Sequence, residues 1–290
     1  AFRSLAILPY AFLKSLVILL RPRPQLVIGV GGYSSGPLVL LAAWMRFPTL
    51  ILEQNRHPGF TNRILLPFVN KAVVSFENSL DEFKGKGVFL GNPVRKEFYH
   101  LPAKNRNSKL SLLIFGGSQG SHFLNLEVIK SLPLIQDEKA MLHIIHQTGE
   151  KDYEWVKEGY RENGFEDVTV APFFYDMADC YQRSDLIVSR SGASTVAELI
   201  AAQKASLLVP FARATDDHQT LNARELEKIQ GAVVLPEAEF TAQAFANQIT
   251  SFLVDKDRIT QMEHNLAQMW TENVSEKISN LCFELMEKER

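Results

Sequence analysis

The sequence contains little cysteine and no excess of positive charge. Two of its 290 residues are cysteine, Cys180 and Cys282, and they lie far apart in the chain. That number is too small for a disulfide-stabilised secreted domain, so we expect two reduced thiols in a cytosolic protein. The formal net charge of −2 provides no overall attraction to nucleic acid, although a local basic patch is compatible with it. We therefore expect no nucleic-acid partner.

Two common nucleotide-binding signatures are also missing. No GxxxxGK[ST] loop is present, which argues against a P-loop kinase or ATPase. The sequence GGSQG at 116–120 lacks the GxGxxG spacing and the acid about 20 residues later, which argues against hydride transfer. His143 and His146 lie on a predicted strand and face opposite sides, and the adjacent residues 216–218 (DDH) rarely converge on one ion. We expect no metal site and no cofactor.

The N-terminal segment lacks the long apolar run of a membrane span. Pro9 and Lys14 interrupt the roughly 20 apolar residues that a span needs, and the sequence RPRP at 21–24 is unlike a signal-peptide cleavage site. We predict one amphipathic helix or two short ones. Two interpretations stay open, namely packing on the protein core and docking on anionic lipid headgroups. The docking interpretation uses Phe2, Arg3, Leu5, Leu8, Phe12, Lys14 and Arg21.

Short β-branched runs alternate with helical patterns along the chain, which is typical of parallel α/β sheets. One series extends from residues 25–30 (QLVIGV) to residues 86–91 (KGVFLG), and after a charged connection a second series starts at Leu110. The pattern predicts two doubly wound, Rossmann-like domains, residues 1–93 and 94–272, with a C-terminal helix at 273–290 packing back on the first. Ligands of such folds bind in the cleft at the carboxyl ends of the strands.

Four polar turns follow predicted strands, at residues 29–37, 115–121, 189–195 and 210–219. Glycine permits close backbone approach, and the following helix offers unpaired N–H groups and the positive end of its dipole. Together these features form a phosphate site that needs no metal. Glycine and serine also suit any turn of this kind. Three glycine-bearing loops and a fourth polar loop nevertheless favour a nucleotide-type ligand.

One acid stands near the start of the helix predicted in the segment 190–202 (RSGASTVAELIAA). The carboxylate of Glu198 can accept two hydrogen bonds from a vicinal diol such as ribose O2′ and O3′, with a diphosphate nearer the helix N-terminus. An acid in the first turn is also explained by its favourable interaction with the helix dipole. From position alone, both interpretations stand.

Six motifs, in this order, resemble the MurG family of bacterial transferases, which add N-acetylglucosamine (GlcNAc) to lipid I and make lipid II for peptidoglycan. They are GGYSSGP at 31–37, EQN at 53–55, GNPVR at 91–95, GGSQG at 116–120, RSGASTVAE at 190–198 and DHQTLNA at 217–223. The resemblance covers essentially the whole chain. It implies the GT-B architecture of two Rossmann-like domains and an inverting transfer from UDP-GlcNAc to the C4 hydroxyl of MurNAc in lipid I.

The resemblance also implies a role for individual residues. The leaving diphosphate would be stabilised by helix N-termini, hydroxyls and Arg95 without a metal, and Glu198 would hold the ribose. The implied donor-binding residues are Asn55, Arg95, Ser118, Phe174, Met177, Ala193, Ser194, Thr195, Val196, Ala197, Glu198, His218 and Gln219. The implied acceptor-binding residues are Gly31, Gly32, Tyr33, Ser34, Ser35 and Gly36.

The resemblance further implies peripheral binding to the anionic cytoplasmic face of the bacterial inner membrane and contacts with other cell-wall synthesis proteins. It favours the docking interpretation of the N-terminal segment and adds Trp44 to it. The implied process is cell-wall synthesis, with the cell shape and division that depend on it.

The chain departs from the family pattern at its start. Family members begin with another glycine-rich strand, turn and helix whose histidine is proposed to assist catalysis, and no residue here matches that histidine. We expect an incomplete first domain, an inactive chain when taken alone, and a catalytic base that the sequence leaves unknown, since the motif position of Glu53 indicates a structural role. The alternatives are another GT-B UDP-sugar enzyme, such as a lipid glycosyltransferase or epimerase, and a catalytically incomplete UDP-sugar-binding fragment.

Overall fold

The computed structural model describes residues 2–21, 23–99, 101, 109–255 and 257–287, with side chains from residue 8 onward. Contacts divide the chain into two compact units, Ala1–Pro93 with Thr271–Arg290, and Val94–Trp270. Each unit contains one sheet in which all neighbouring strands are parallel. This confirms the predicted α/β fold class with two Rossmann-like domains. Within the described residues, no helix combines the length and the apolar character needed to cross a bilayer.

The strands and helices alternate along the chain. The strands are β1 (Val27–Gly29), β2 (Thr49–Glu53), β3 (Lys71–Val74), β4 (Gly87–Phe89), β5 (Leu110–Phe115), β6 (Leu142–Gln147), β7 (Val168–Ala171), β8 (Leu186–Ser189), β9 (Ser206–Leu208) and β10 (Ala232–Val234). The helices are α1 (Phe2–Leu20), α2 (Gly36–Trp44), α3 (Phe60–Leu65), α4 (His122–Ser131), α5 (Tyr153–Glu162), α6 (Met177–Arg183), α7 (Ala193–Ala202), α8 (His218–Lys228), α9 (Ala242–Val254), α10 (Asp257–Ala267) and α11 (Val274–Glu287). Short 3-10 turns cover Glu77–Phe83, Lys96–Phe98, Leu132–Ile135, Lys139–Met141 and Thr215–Asp217.

The first unit has a four-stranded sheet in the order β1-β2-β3-β4. Successive side chains of a strand point to opposite faces, so β2 is apolar on both. On one face Ile51 packs with Leu19 of α1 and with α2 and α3. On the other face Leu50 and Val73 pack against α11 through Leu285. The C-terminal helix therefore completes the hydrophobic core of this sheet.

The second unit has a six-stranded sheet in the order β10-β9-β8-β5-β6-β7. All six residues of β5 are buried, and β5 pairs with β6 on one side and β8 on the other. The chain runs outward from β5 to β7, then returns to β8 and runs outward the other way. The order of connection reverses between β5 and β8, and the carboxyl end of such a reversal point is where open α/β sheets bind ligands.

Packing of α11 on the first sheet gives a stability prediction. Leu285 is 8% exposed in the core, whereas Phe283 on the same helix is 60% exposed. Leu285→Ala should lower the free energy of unfolding of this unit by about 2 kcal/mol or more because it leaves a cavity. Phe283→Ala, the matched control, should change it by less than about 0.5 kcal/mol. Chemical denaturation of both variants tests this, and equal effects would contradict the packing.

Candidate functional site

The loop after β5 brings two backbones unusually close. Gly120 has φ +74°, and a Cβ placed there would lie 2.0 Å from the carbonyl oxygen of Thr148, which follows β6. Gly149 has φ +78°, and its Cβ would lie 2.3 Å from the carbonyl oxygen of Gln119. Glycine alone fits both positions. The close approach fixes the loop 116–121, with Ser118 exposed at its tip, beside the reversal point.

The helix N-terminus after β8 is open. Gly192, in extended conformation, precedes α7 and has no side chain to cap it, and the first intrahelical bond runs from the amide of Val196 to the carbonyl of Gly192. The N–H groups of residues 193–195 therefore lack helical partners and face the carboxyl edge of the sheet. Ser194 is exposed, and Ala193 and Thr195 are half-buried. Val196 is fully buried with its amide bonded, so its side chain lines the core and not this opening.

Glu198 follows on the same helix. It is the sixth residue of α7, beyond the first turn, so the helix dipole does not explain it. Its carboxylate is half-buried, and Tyr181 donates a long hydrogen bond to Oε2 at 3.5 Å. Burial raises the pKa of the Glu198 carboxyl, and the charge of Arg95 and the Tyr181 bond oppose that rise. A carboxylate with so little compensation for its burial is well suited to two further donors such as a vicinal diol.

Arg95 and two aromatic rings form one wall beside Glu198. The Phe98 ring meets the ring of Tyr181 edge-on at 5.0 Å between centroids, and the Arg95 guanidinium lies 5.1 Å from the Phe98 centroid. Phe98 and Tyr181 are fully buried, and burial raises the pKa of the Tyr181 hydroxyl well above its ordinary value. The tyrosine therefore acts as a neutral donor, and the rings hold Arg95 near the Glu198 carboxylate.

Gln147, at the end of β6, joins two loops of this edge. Its Nε2 donates to the carbonyl of Gly117 at 3.0 Å, and its Oε1 accepts from the amide of Phe174 at 2.8 Å. The side chain is 1% exposed. Phe174 lies in the loop after β7, and Met177, half-buried, begins α6 just beyond it. The positions of the two loops are thus fixed relative to each other by one amide.

The segment after β9 has a strained backbone. Asp216 and Asp217 have φ values of +51° and +52°, a region that side-chain-bearing residues rarely adopt. His218 and Gln219 begin α8 immediately afterwards, and both are half-buried. Gln219 Oε1 accepts from the amide of Phe211 at 3.0 Å. Strain of this kind is common where a fold presents side chains to a ligand.

The glycine loop of the first unit is also exposed. Gly31 and Gly32 have φ values of +85° and +75°, and Ser35 Oγ donates to both of their carbonyls. Tyr33 is 81% exposed, and Ser34 is exposed beside it. Helix α2 begins at Gly36, so this loop presents bare backbone at a helix N-terminus.

The carboxylate of Glu53 is engaged in structure. It is 3% exposed and accepts hydrogen bonds from the amides of Asn55 (3.0 Å) and Gly59 (2.9 Å) and from Asn62 Nδ2 (2.8 Å). The side chain of Asn55 also donates to it at 3.2 Å. Both carboxylate oxygens are occupied in shaping the loop 54–59, in agreement with the structural role inferred from the motif.

Helix α1 presents an apolar face to solvent. Ser15 and Leu19 are buried on its inner side, where Phe12 is half-buried. Lys14 lies over the ring of Tyr10, 4.9 Å from its centroid, and Arg21 is exposed. The exposed apolar residues of this surface are Leu8, Tyr10, Leu13, Val17, Ile18 and Leu20 of α1, with Trp44 of α2 and Phe60, Ile64 and Phe68 of the α3 region. The sequence also predicts Phe2, Arg3 and Leu5 on this surface, and their side chains lie outside the described part of the chain.

The two histidines of β6 point to opposite faces, as predicted. His143 pairs with Asp167 at 2.7 Å. His146 is fully buried between the Tyr160 hydroxyl (2.9 Å) and Asn125 Oδ1 (3.0 Å), and burial lowers its pKa to about 3. It is therefore a neutral structural residue. In the part of the chain with described side chains, no three His, Cys, Asp or Glu residues are grouped to hold a metal ion.

Comparison with known proteins identifies the family. The glycosyltransferase family 28 N-terminal domain matches residues 2–74, and the family 28 C-terminal domain matches residues 111–278. The chain is 41% identical, over 98% of its length and 75% of the relative's, to the UDP-N-acetylglucosamine--N-acetylmuramyl-(pentapeptide) pyrophosphoryl-undecaprenol N-acetylglucosamine transferase of Anaeromyxobacter sp. (strain Fw109-5). The chain belongs to the MurG family.

Solved structures agree with this family membership. The crystal structure of Acinetobacter baumannii MurG superposes with a TM-score of 0.82 at 29% identity, over 95% of this chain and 80% of that one. A UDP-GlcNAc 2-epimerase from Neisseria meningitidis, bound to UDP-GlcNAc, gives a TM-score of 0.68 at 13% identity, over 96% of this chain and 81% of that one. At that identity the epimerase shows a shared fold alone.

The structure adds residues that the sequence did not single out. Gln147 and Tyr181 are part of the site. Their signal in the sequence is weak, because a glutamine at a strand end or a tyrosine in a short helix has no distinctive spacing. Only the strand order β8-β5-β6-β7 brings them to one edge.

The contacts of Glu53 give a prediction that separates a structural residue from a base. Glu53→Gln turns an N–H₂ group toward existing donors and should lower the free energy of unfolding by about 1–3 kcal/mol. Glu77→Gln, at an exposed site of the same unit, should leave it within about 0.5 kcal/mol. Chemical denaturation measures both. Wild-type stability of Glu53→Gln, together with loss of transfer activity, would instead indicate a base.

Proposed function

We propose that this chain, joined to the N-terminal glycine-rich segment with which family members begin, transfers GlcNAc from UDP-GlcNAc to the C4 hydroxyl of MurNAc in lipid I, forming lipid II and UDP in peptidoglycan synthesis. Its family membership supports the reaction, because the relative named above carries this activity in its name. The observation in the structure that carries the proposal is the half-buried, poorly compensated carboxylate of Glu198 beside the open N-terminus of α7.

The proposed donor site lies at the carboxyl edge of the second sheet. Glu198 holds the ribose diol, and the amides and hydroxyls of residues 193–195 hold the diphosphate with Ser118 and Arg95. The backbone at Phe174 and the side chain of Met177 line the uracil pocket, and Ala197 lies between the phosphate and ribose positions on α7. His218 and Gln219 read the sugar hydroxyls. In the first unit, Asn55 is assigned to the donor sugar and residues 31–36 to the acceptor pyrophosphate.

The proposed chemistry is an in-line displacement. The acceptor C4 oxygen attacks C1 of GlcNAc, the bond from C1 to the β-phosphate oxygen breaks, and the configuration inverts from α to β. The hydroxyl proton passes to a general base that we do not assign. Charge builds on the departing diphosphate, and preorganised N–H groups of α7 together with Arg95 stabilise it. These groups replace the role that a divalent cation has in many sugar-nucleotide enzymes.

Two alternative functions would be compatible with the same donor site. An epimerase shares the fold, and a binding protein would share the nucleotide contacts. The exposed glycine loop at residues 31–36 favours transfer, because a second phosphate-type site suits a pyrophosphate-linked acceptor. A transfer assay with a lipid I analogue, on the chain alone and on the chain joined to the N-terminal glycine-rich segment of a family member, distinguishes the three functions, since only the transferase releases UDP in an acceptor-dependent way.

We further propose that the enzyme binds peripherally to the anionic cytoplasmic face of the inner membrane, beside its lipid-linked acceptor and other cell-wall synthesis proteins. The apolar surface of α1, α2 and α3 supports this, because it groups exposed leucine, tyrosine, phenylalanine and tryptophan side chains next to Lys14 and Arg21. Cell shape and division would depend on the activity through cell-wall synthesis.

The Glu198 assignment is tested by calorimetric titration with UDP-GlcNAc in the presence of a chelator. Glu198→Gln should weaken binding about tenfold or more, because it removes a charged acceptor of hydrogen bonds. Glu166→Gln, at an exposed position before the amino end of β7, should bind like the wild type. Unchanged affinity in Glu198→Gln would refute the ribose assignment.

The pH dependence of uridine binding tests the same assignment of Glu198. Uridine is used because it has no phosphate group whose own ionisation would change the affinity. The bound diol favours the ionised carboxylate, whereas burial raises the pKa of Glu198 in the free protein. Wild-type affinity should therefore fall as the pH is lowered through that raised pKa. Glu198→Gln should show no such fall when both are followed by NMR titration.

The membrane proposal is tested by sedimentation with vesicles containing anionic phosphatidylglycerol. Leu13 on α1 and Phe283 on α11 are 61% and 60% exposed, so they are matched in exposure. Leu13→Ser should lower partitioning about tenfold because one apolar side chain no longer enters the lipid. Phe283→Ser should leave it unchanged. Equal partitioning of both variants would contradict the assigned surface.

A further inference from the structure

Arg190, the first residue of the RSGAST motif, is not exposed for ligand binding. It follows β8 directly and is 8% exposed. Its guanidinium donates to the carbonyls of Val209 (3.1 Å) and Pro210 (3.3 Å), to Ser121 Oγ (2.9 Å) and to the carboxylate of Glu237. An arginine beside a phosphate site is commonly interpreted as an anion ligand. Here both terminal nitrogens are committed to protein acceptors.

These contacts tie together three loops of the carboxyl edge. Ser121 caps α4 after β5, Val209 and Pro210 follow β9, and Glu237 follows β10. Glu237 compensates the buried charge and, with its second oxygen, accepts from the amide of Ala212 at 3.2 Å. The pair Arg190–Glu237 therefore fixes the beginning of the segment 210–219 at two points.

The same segment determines the orientation of Gln219. The Arg190 guanidinium lies 5.4 Å from the centroid of the Phe211 ring, and the Phe211 amide donates to Gln219 Oε1. Since the carbonyl end of the Gln219 amide is engaged, its N–H₂ end is presented as a donor. A hydroxyl oxygen of a bound sugar is the matching acceptor. The orientation of this donor thus depends on where Phe211 is held.

We propose that the Arg190–Glu237 pair is a positioning device for recognition of the donor sugar, and that it selects the GlcNAc group of UDP-GlcNAc without contributing to UDP affinity. The proposal rests on the donor site proposed above. It makes Arg190 and Glu237 positioning residues that act through Phe211 and Gln219. The segment 210–219 meets the start of α7 through its last residue, where Ser191 Oγ donates to the backbone carbonyl of Gln219 at 2.8 Å. The nucleotide contacts of Glu198 and residues 193–195 are made by α7 itself, so we expect them to remain.

The test compares the affinities for UDP and UDP-GlcNAc by calorimetry. Arg190→Lys keeps the charge but loses the planar fork, so UDP-GlcNAc binding should weaken about tenfold while UDP binding stays within about twofold. Glu237→Gln keeps the shape of the side chain and removes its charge. It should also weaken the binding of UDP-GlcNAc more than the binding of UDP. Arg161→Lys, in the exposed Arg161–Glu158 pair of α5, should change neither affinity.

The possible outcomes separate this inference from the proposed function. Wild-type protein that binds neither ligand would contradict the donor site and, with it, the inference. If the wild type binds both ligands and the variants lose as much affinity for UDP as for UDP-GlcNAc, the inference is contradicted but the donor site is not. The same holds if the variants lose no affinity for either ligand. Circular dichroism reports whether each variant folds. Loss of native structure in both variants would make the pair a stability element and overturn the positioning role.

Discussion

Desolvation of one carboxylate is the constraint on which the proposed donor site depends. Glu198 lies half-buried on α7, where burial disfavours its ionised form and a long bond from Tyr181 compensates only in part. Removing a charge from water is unfavourable unless hydrogen bonds replace the lost hydration. A ribose diol provides such bonds. The bound ligand thus supplies hydrogen bonds that the Glu198 carboxylate lacks in the free protein. The binding energy is therefore concentrated at this carboxylate on the sheet edge.

The sheet order determines which other groups surround that point. The connection reverses between β5 and β8, so the loops after these strands diverge and leave the N-terminus of α7 uncovered. Behind this opening, buried polar side chains hold the loops in register. Gln147 joins the loops after β5 and β7, and Arg190 joins those after β5, β9 and β10. Gln147 thus orients the loops beside the nucleotide, and Arg190 orients the segment assigned to the sugar, so that the ligand meets donors that are already in place.

Much of the fold was predictable because parallel strands and crossover helices leave a clear hydrophobic period in the sequence. The glycine-bearing turns were predictable too, since close backbone approaches such as that of Gly120 to Thr148 admit no other residue. The side chains that connect the loops were not, because their partners are distant in the chain and share no spacing. The exposed face of α1 was also only partly predictable. Periodicity shows that a helix is apolar, but not that Phe12 is half-buried while Leu13 is exposed to solvent.

The most direct test is the structure of this protein crystallised with UDP-GlcNAc in the presence of magnesium. The central claim predicts the ribose O2′ and O3′ within hydrogen-bond distance of the Glu198 carboxylate and the diphosphate against the amides of residues 193–195, with no ion between protein and phosphate. A nucleotide bound at another edge of the sheet, or a diphosphate held through a magnesium ion, would contradict it.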